Sequence, residues 1–267
     1  MGKLADRAAI KTASSSSFVY TPPEAAFNAA RILVKPNFGY RAPNPATVSL
    51  PVLSAVLRGL RRASPKGRIL IVEGSTSPGS AHDLYAYHGL AELLDDETRL
   101  ADAEELLMKD YPNLSPEPVK YDHMTAPTYI DEFDCKISIA PLKMTQLNGR
   151  SLVSASLKNL YGLFPREKYH GRSPHARGQL HRPGVPQVLQ DIYFSIGHYF
   201  DGAVVDLTAF YNSPDWRPDR VRNVAKPVGK VIWGDDLLAV DAAACRAAGI
   251  PEPEYLAKIR ALRQQRG

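Results

Sequence analysis

Short apolar runs closed by proline, glycine or charge alternate along this chain with stretches whose apolar residues recur at helical spacing. Arg31-Ile32-Leu33-Val34 is the first such run, ended by Lys35-Pro36-Asn37. A second, Arg68 to Val72, leads into the small-residue stretch Glu73 to Ser80. A third spans about Asp134 to Ala140 and ends in Pro141-Leu142-Lys143, and two more lie at Ala203 to Leu207 and Lys230 to Trp233. Runs this short with these terminators predict buried strands. Leu50, Leu53, Val56, Leu57 and Leu60 recur at helical spacing, with Arg58, Arg61 and Arg62 in the later turns, where they complement a helix dipole. Further helices are predicted from about Ala81, over an acidic stretch from Asp95 to Lys109, from about Val185 to Tyr199, from about Leu237 to Ala248 with Gly249 as its stop, and from Glu252 to about Gln264.

Strands alternating with helices predict an α/β fold, a mostly parallel sheet flanked by helices on both faces. The chain has no internal repeat and no composition typical of a linker. The expectation is one α/β domain over residues 18–267, preceded by a mobile lead-in over residues 1–17 that closes on Ser14 to Ser17. Hydrophobic residues at 44% and charged residues at 23% supply an ordinary globular core for 267 residues. No apolar stretch approaches the roughly 20 residues of a membrane span. Met1 to Ala9 has no apolar segment of a secretory signal, and Asp6 stands where a myristoylation motif needs Ser or Thr. These features predict a soluble cytoplasmic protein. Cys135 and Cys245, far apart and without neighbouring ligands, exclude a disulfide framework or an iron–sulfur motif and read as buried thiols.

Charge adds a local feature. Arg166, Lys168, Arg172, Arg177 and Arg182 face only Glu167, so this one segment carries four of the net +5. A basic patch on an otherwise balanced chain points to a small anionic partner; nucleic acid is disfavoured, because no aromatics interleave a basic face.

Parallel sheets bind ligands at the carboxyl ends of their strands. Lys35, Asn37, Glu73 and Lys143 follow the predicted strands there, Asp206 ends or nearly ends a later one, and Asp235 and Asp236 follow Trp233. The loop Gly74-Ser75-Thr76-Ser77 up to Ser80, between a strand and a helix, has the layout of an anion cradle built on backbone N–H groups, or of a plain connection. It is neither a Walker loop nor a dinucleotide fingerprint. Within Ser154 to Pro165, Lys158 and Asn159 interrupt an apolar sequence. Burial there demands partners for both, and a desolvated lysine becomes available as base or nucleophile.

The loop beyond holds His170, His175 and His181. Three readings stay open for them: a proton-transferring or substrate-binding histidine, a metal site, and solvated loop side chains. Asp191 and Asp241 are either helix-surface charges or carboxylates that orient His170 or Lys158.

Lys35-Pro36-Asn37, Val72-Glu73-Gly74, Ala140-Pro141-Leu142-Lys143, Leu157-Lys158-Asn159-Leu160-Tyr161-Gly162, His170 and Asp235 to Asp241 stand in an order that resembles the domain-of-unknown-function 362 family. The likeness runs from about residue 31 to residue 250. Many relatives carry a cysteine-rich ferredoxin-like insert, which this chain lacks. A fainter likeness to the lactate racemase family implies a nickel-pincer cofactor bonded to a lysine with a histidine downstream on the metal. Lys158, His170 and the Gly74–Ser80 loop echo that order, although Thr76 and Ser77 stand where that family has a histidine.

Together these readings predict an enzyme acting on a small carboxylate- or phosphate-bearing metabolite by proton transfer, of isomerase, epimerase or lyase type. Lys158, His170 and Glu73 are the expected catalytic groups. Lys35, Asn37, Lys143, Asn159, Arg172 and Gly74 to Ser77 are the expected substrate contacts. The alternatives are a non-catalytic or accessory ligand-binding protein and a metal-dependent enzyme in which His170, His175 and His181 hold the metal. No cofactor is specified, and a homo-oligomer stays open.

Overall fold

The computed structural model describes residues 9–76, 78–147, 150–214 and 225–266. Its strands are β1 (Lys11–Ser14), β2 (Arg31–Pro36), β3 (Arg68–Glu73), β4 (Thr98–Asp102), β5 (Met108–Pro112), β6 (His123–Pro127), β7 (Cys135–Leu147), β8 (Arg150–Ser154), β9 (Gly202–Ser213) and β10 (Ala225–Gly234). Its helices are α1 (Leu50–Ala63), α2 (Ala81–His88), the single turns α3 (Ser156–Asn159) and α4 (Arg166–Tyr169), α5 (Val185–Ser195), α6 (Leu237–Ala247) and α7 (Glu254–Arg266).

Alternation within the strands builds two cores. Ile32, Val34, Ile69, Ile71, Ile137 and Val204 turn to one face, where α1 packs Val52, Leu53, Val56 and Leu60 against them. Leu33, Val72, Leu142, Ala203 and Val205 turn to the other, under apolar residues of α3, α5, α6 and α7. Burial on both faces explains why the strands read as unbroken apolar runs in the sequence.

The main sheet runs in the order β1-β10-β9-β7-β2-β3-β4, with β8 hairpinned onto the far half of β7. The pairs β9·β7, β7·β2, β2·β3 and β3·β4 are parallel; β1·β10, β10·β9 and β7·β8 are antiparallel. The expected α/β fold with a mostly parallel sheet covered on both faces is what the chain adopts. Gly249 closes α6 with a left-handed φ of +69°, and Ile250 N–H reaches back to the Cys245 carbonyl at 3.0 Å.

Three expectations are corrected. The acidic stretch from Asp95 to Lys109 is no helix: Thr98–Asp102 pairs in register with Ile69–Glu73 of β3. The backbone partners offered by a neighbouring strand outweigh the local helical pattern. The lead-in is not mobile throughout, because Lys11–Ser14 pairs antiparallel with Lys230–Trp233; residues 1–8 lie outside the described residues. The third strand does not stop near Ala140 but continues through Pro141 to Leu147, and its outer half, which carries Lys143, pairs with β8 on one side and the end of β9 on the other. Among the described residues no helix is long and apolar enough to cross a membrane.

Candidate functional site

The parallel strands β2, β3 and β7 end on one side of the sheet, where a cavity of about 510 Å³ opens. Its lining includes Asn37 beyond β2, Glu73 at the end of β3, Thr76 beyond it, Lys143 and Thr145 on β7, Leu152 and Ser154 on β8, and Lys158 and Asn159 on α3. Tyr40, Tyr161, His181, Arg182 and Tyr211 complete its walls. A crevice beyond carboxyl strand ends is where a parallel sheet binds ligands.

A dense polar network lies at and behind the cavity floor. Lys35 is fully buried, and its Nζ meets Glu73 Oε1 at 2.6 Å. The same nitrogen donates to the Pro36 carbonyl at 2.8 Å and to Asn159 Oδ1 at 3.0 Å. An ammonium has three protons, so none remains for a ligand. Burial pushes the Lys35 ammonium below its ordinary range, while Glu73 opposes that shift. Glu73 also accepts from Gly74 N–H at 2.8 Å and from Phe38 N–H at 2.7 Å. Asn159 Nδ2 donates to the Lys35 carbonyl, Ser138 Oγ and the Ile139 carbonyl at 2.7, 3.1 and 3.2 Å. Lys35, Glu73 and Asn159 thus brace three strands; Lys35 has no proton left for a ligand and lies outside the cavity lining, whereas Glu73 and Asn159 also line it.

The family-like block owes its glycine to this packing. A Cβ on Gly162 would stand 2.3 Å from Glu73 Oε1 and 2.9 Å from Lys35 Nζ. A Cβ on Gly74 would stand 2.2 Å from the Gly162 carbonyl oxygen.

Two lysines of the predicted trio do reach the cavity. Lys143 Nζ donates to Asn37 Oδ1 at 2.9 Å and to the Ala46 carbonyl at 2.8 Å, which leaves one proton. Asn37 in turn donates to Asn159 Oδ1 at 3.1 Å. Burial first, and then the Lys158 ammonium, push Lys143 down to about 7. Lys158 differs: among the described residues its Nζ has no hydrogen-bond or ion-pair partner, only the Tyr161 ring face at 4.6 Å. Burial pushes it down to about 8.

The turn that presents Lys158 is held from below. Asp241, buried on α6, accepts from Ser156 N–H at 2.8 Å, from Ser156 Oγ at 2.5 Å and from Leu157 N–H at 3.0 Å. Burial pushes its carboxyl up to about 6 against those bonds. Of the two readings for Asp241, the orienting one describes its contacts. Asp191 is neither a surface charge nor an orienter of His170 or Lys158. It is buried and gathers Asn113 Nδ2 and the N–H groups of Val119, Lys120 and Tyr121.

The basic loop divides sharply. Arg177 is buried and donates to Glu104 Oε1 at 2.9 Å, to the Ser75 and Gly162 carbonyls at 3.0 and 3.2 Å, and to the Phe164 carbonyl. It thereby ties the loop to the cavity's edge. His181 lines the cavity, packs edge-on against Tyr161 at 5.5 Å between ring centroids, and bonds the Arg177 carbonyl through Nδ1 at 3.1 Å. A carbonyl only accepts, so Nδ1 carries the proton and Nε2 keeps a lone pair. Desolvation and the nearby Lys158 charge push His181 down to about 4, so its ring is neutral near pH 7.

His170, Arg172 and His175 are exposed and lie outside the cavity lining. His170 Nδ1 engages only the Gly171 carbonyl at 2.9 Å. The expected catalytic role of His170 and the substrate contact of Arg172 therefore have no footing in this arrangement. Among the described residues no three His, Cys, Asp or Glu side chains gather as a metal site requires. His181 is the sole imidazole among the described lining residues, so the lining does not hold the expected three-histidine metal site.

Several N–H groups of the expected anion cradle already have partners. The N–H groups of Gly74, Thr76, Ser80 and Ala81 are engaged by Glu73, the Gly39 carbonyl, Asp83 and Asp102. Two carboxylates at the start of α2 repel an anion there. Ser75 is buried with its carbonyl on Arg177, Thr76 still lines the cavity, and Ser77 lies outside the described residues.

Tyr40 and Tyr211 were not singled out from the sequence, where no spacing distinguishes them; Arg182 entered only as one member of the basic segment and Tyr161 only within the family-like block. The Tyr161 ring belongs to the Lys-Asn-Leu-Tyr-Gly block, which was the available signal.

The chain matches a family model described as a domain of unknown function, DUF362, over residues 32–246. No curated protein matches it. Among solved structures it is similar to the lactate racemase apoprotein from Thermoanaerobacterium thermosaccharolyticum, at 12% identity and a TM-score of 0.42. That similarity covers 70% of this chain and 44% of the other, so the chain spans less than half the length of that protein.

Proposed function

The chain belongs to the DUF362 family, a membership that brings no chemistry with it, and from the site itself we propose an enzyme acting on a small carboxylate- or phosphate-bearing metabolite by proton transfer. One observation carries the reading: the Lys158 amine lines the cavity with no polar partner among the described residues, beside a second cation, Lys143. Lys35 offsets the Glu73 charge, so Lys143, Lys158 and Arg182 give the lining a positive balance. A bound anion relieves their repulsion.

In this reading the remaining proton of Lys143 and the Arg182 guanidinium hold the acidic group. Lys158 is the reactive side chain. With its ammonium lowered to about 8, about a tenth of it is free amine at pH 7. His181 is neutral with a lone pair on Nε2, and it replaces His170 as the second proton-handling group. A proton removed beside a carboxylate and returned gives isomerisation or epimerisation; loss of a leaving group instead gives elimination.

The test has two arms. Isothermal titration with sulfate and phosphate measures anion binding by the wild type, Lys143→Met and Lys158→Ala. Proton NMR in D₂O follows deuterium uptake at the carbon next to the acid group in a panel of 2-hydroxy, 2-oxo and phosphorylated compounds. The expected result is anion binding weakened in both variants, and exchange with at least one compound that Lys158→Ala abolishes. Anion binding without any exchange points instead to a carrier of acidic ligands.

A further inference from the structure

Lys143 and Lys158 line the same cavity but are built for different tasks. Lys143 is fixed by Asn37 Oδ1 and the Ala46 carbonyl, with a single proton left to aim at a ligand. Such an anchored ammonium suits a clamp for a carboxylate or phosphate oxygen. Lys158 is poorly suited to that task. No hydrogen bond fixes its Nζ among the described residues, its charge is disfavoured by burial, and Lys143 stands nearby with the same charge. An arginine would clamp an anion better, with more donors and a permanent charge. A desolvated amine beside a second cation is instead the arrangement that makes lysine a nucleophile toward carbonyl carbon.

We infer that the ligand of this site carries a carbonyl group as well as its acidic group, and that the Lys158 amine condenses with that carbonyl to form an imine. This inference rests on the proposed anion site and specifies its substrate class, a small anionic carbonyl compound. Lys143 holds the acidic group while Lys158 Nζ meets the carbonyl carbon.

The step balances as follows. The nitrogen lone pair forms the C–N bond, the C=O π pair moves onto oxygen, and one N–H proton transfers to that oxygen to give a carbinolamine. The nitrogen lone pair then forms C=N as the C–O bond breaks. The oxygen takes a second proton from solvent and leaves as water. His181, neutral and with Nε2 free to accept, suits the transfer of the proton from nitrogen to oxygen. The protonated imine is a cation, and the Tyr161 ring face at 4.6 Å from Nζ stabilises that charged form. The iminium acidifies the adjacent C–H, which joins this step to the proposed proton transfer.

The experiment is reductive trapping on the full chain. Protein is incubated with pyruvate, oxaloacetate, 2-oxoglutarate or dihydroxyacetone phosphate, reduced with sodium cyanoborohydride, digested and mapped by mass spectrometry. The carboxylate and phosphate arms distinguish the two kinds of acidic group. The expected result is one dominant adduct at Lys158, heavier by the carbonyl compound plus two hydrogens less one water. It should be absent in Lys158→Arg, slowed roughly tenfold in Lys143→Met as the acid group loses its clamp, and suppressed by excess sulfate. If sulfate binds to the wild type and weakens in Lys143→Met, yet none of the four compounds labels Lys158 above the level of surface lysines, the imine is overturned and the anion site stands. If sulfate does not bind at all, both readings fall. Thermal unfolding of each variant confirms that a lost adduct is not a lost fold.

Discussion

Replacing Lys158 with methionine should stabilise the folded chain near neutral pH while removing its chemistry. Methionine keeps an unbranched stem of similar length and deletes the ammonium. The charged form is penalised in the fold because the amine titrates near 8 instead of its ordinary 10.5. At about 1.4 kcal/mol per pH unit, that difference is about 3 kcal/mol when the group is protonated in both states. Nζ also faces a cavity open to water, which reduces the figure, and the contact with the Tyr161 ring is worth about 0.5–1 kcal/mol in the opposite sense. A net gain of about 1–2 kcal/mol remains, or several degrees in Tm for a chain of this size.

The pH dependence separates this cause from generic packing. Between about pH 8 and 10.5 the unfolded chain binds more protons at residue 158 than the folded one, so wild-type stability rises with pH there. The contribution is fully present above the unfolded value and lost as pH falls through the folded one. The methionine variant lacks that slope, so its advantage is greatest below about pH 7 and disappears toward pH 10.5. Urea unfolding of both proteins at about pH 6.5 and about pH 9.5 measures it. A variant less stable than wild type at the lower pH, or an advantage unchanged at the higher one, refutes the reasoning.

Lys35→Met should destabilise by about 3–5 kcal/mol, because it strands the Glu73 carboxylate in the core, and Glu73→Gln added to it should cost less than the sum of the singles. Additive losses in urea unfolding would show that the pair is not coupled. Sulfate affinity, read by titration calorimetry, should fall as pH rises through about 7 and again through about 8, as Lys143 and then Lys158 lose their protons; an affinity flat across that range contradicts the assignment. Arg177→Met should lose about 3 kcal/mol or more, since it deprives Glu104 and three carbonyls of a donor. It should also speed limited proteolysis of residues 170–176 relative to the wild type, and an unchanged cleavage rate would count against Arg177 as the tie of that loop.

The central architecture was legible because β2, β3, β7 and β9 are buried on both faces, which writes them as unbroken apolar runs. The strand β4 was not, since Arg99 and Asp102 give an edge strand the polarity of a surface helix, and only pairing with β3 decides the matter. The positions of Lys143 and Lys158 could be placed because charge inside apolar sequence is unusual. Lys35 looked the same in sequence, and only its three bonds reveal it as a brace. Among the loop histidines, nothing local distinguishes His170 from His181. The difference lies in the fold: His181, itself exposed, lines the cavity and bonds the Arg177 carbonyl, whereas His170 lies outside the lining. Arg177 itself, one arginine of a patch whose charge points in the sequence to an anionic partner, is buried.

The carboxylate of Asp241 grips the first turn of the helix that carries Lys158, although 85 positions separate it from Ser156. A chain emerging from the ribosome therefore completes its sheet strands β2, β3 and β7 well before the segment that fixes its reactive amine has been made. Until that late segment docks, Lys158 lacks the burial that lowers its affinity for protons in the folded chain. If Lys158 acts as proposed, reactivity is the last property the nascent protein acquires, and a chain cut short before α6 would carry the lysine without the turn that positions it.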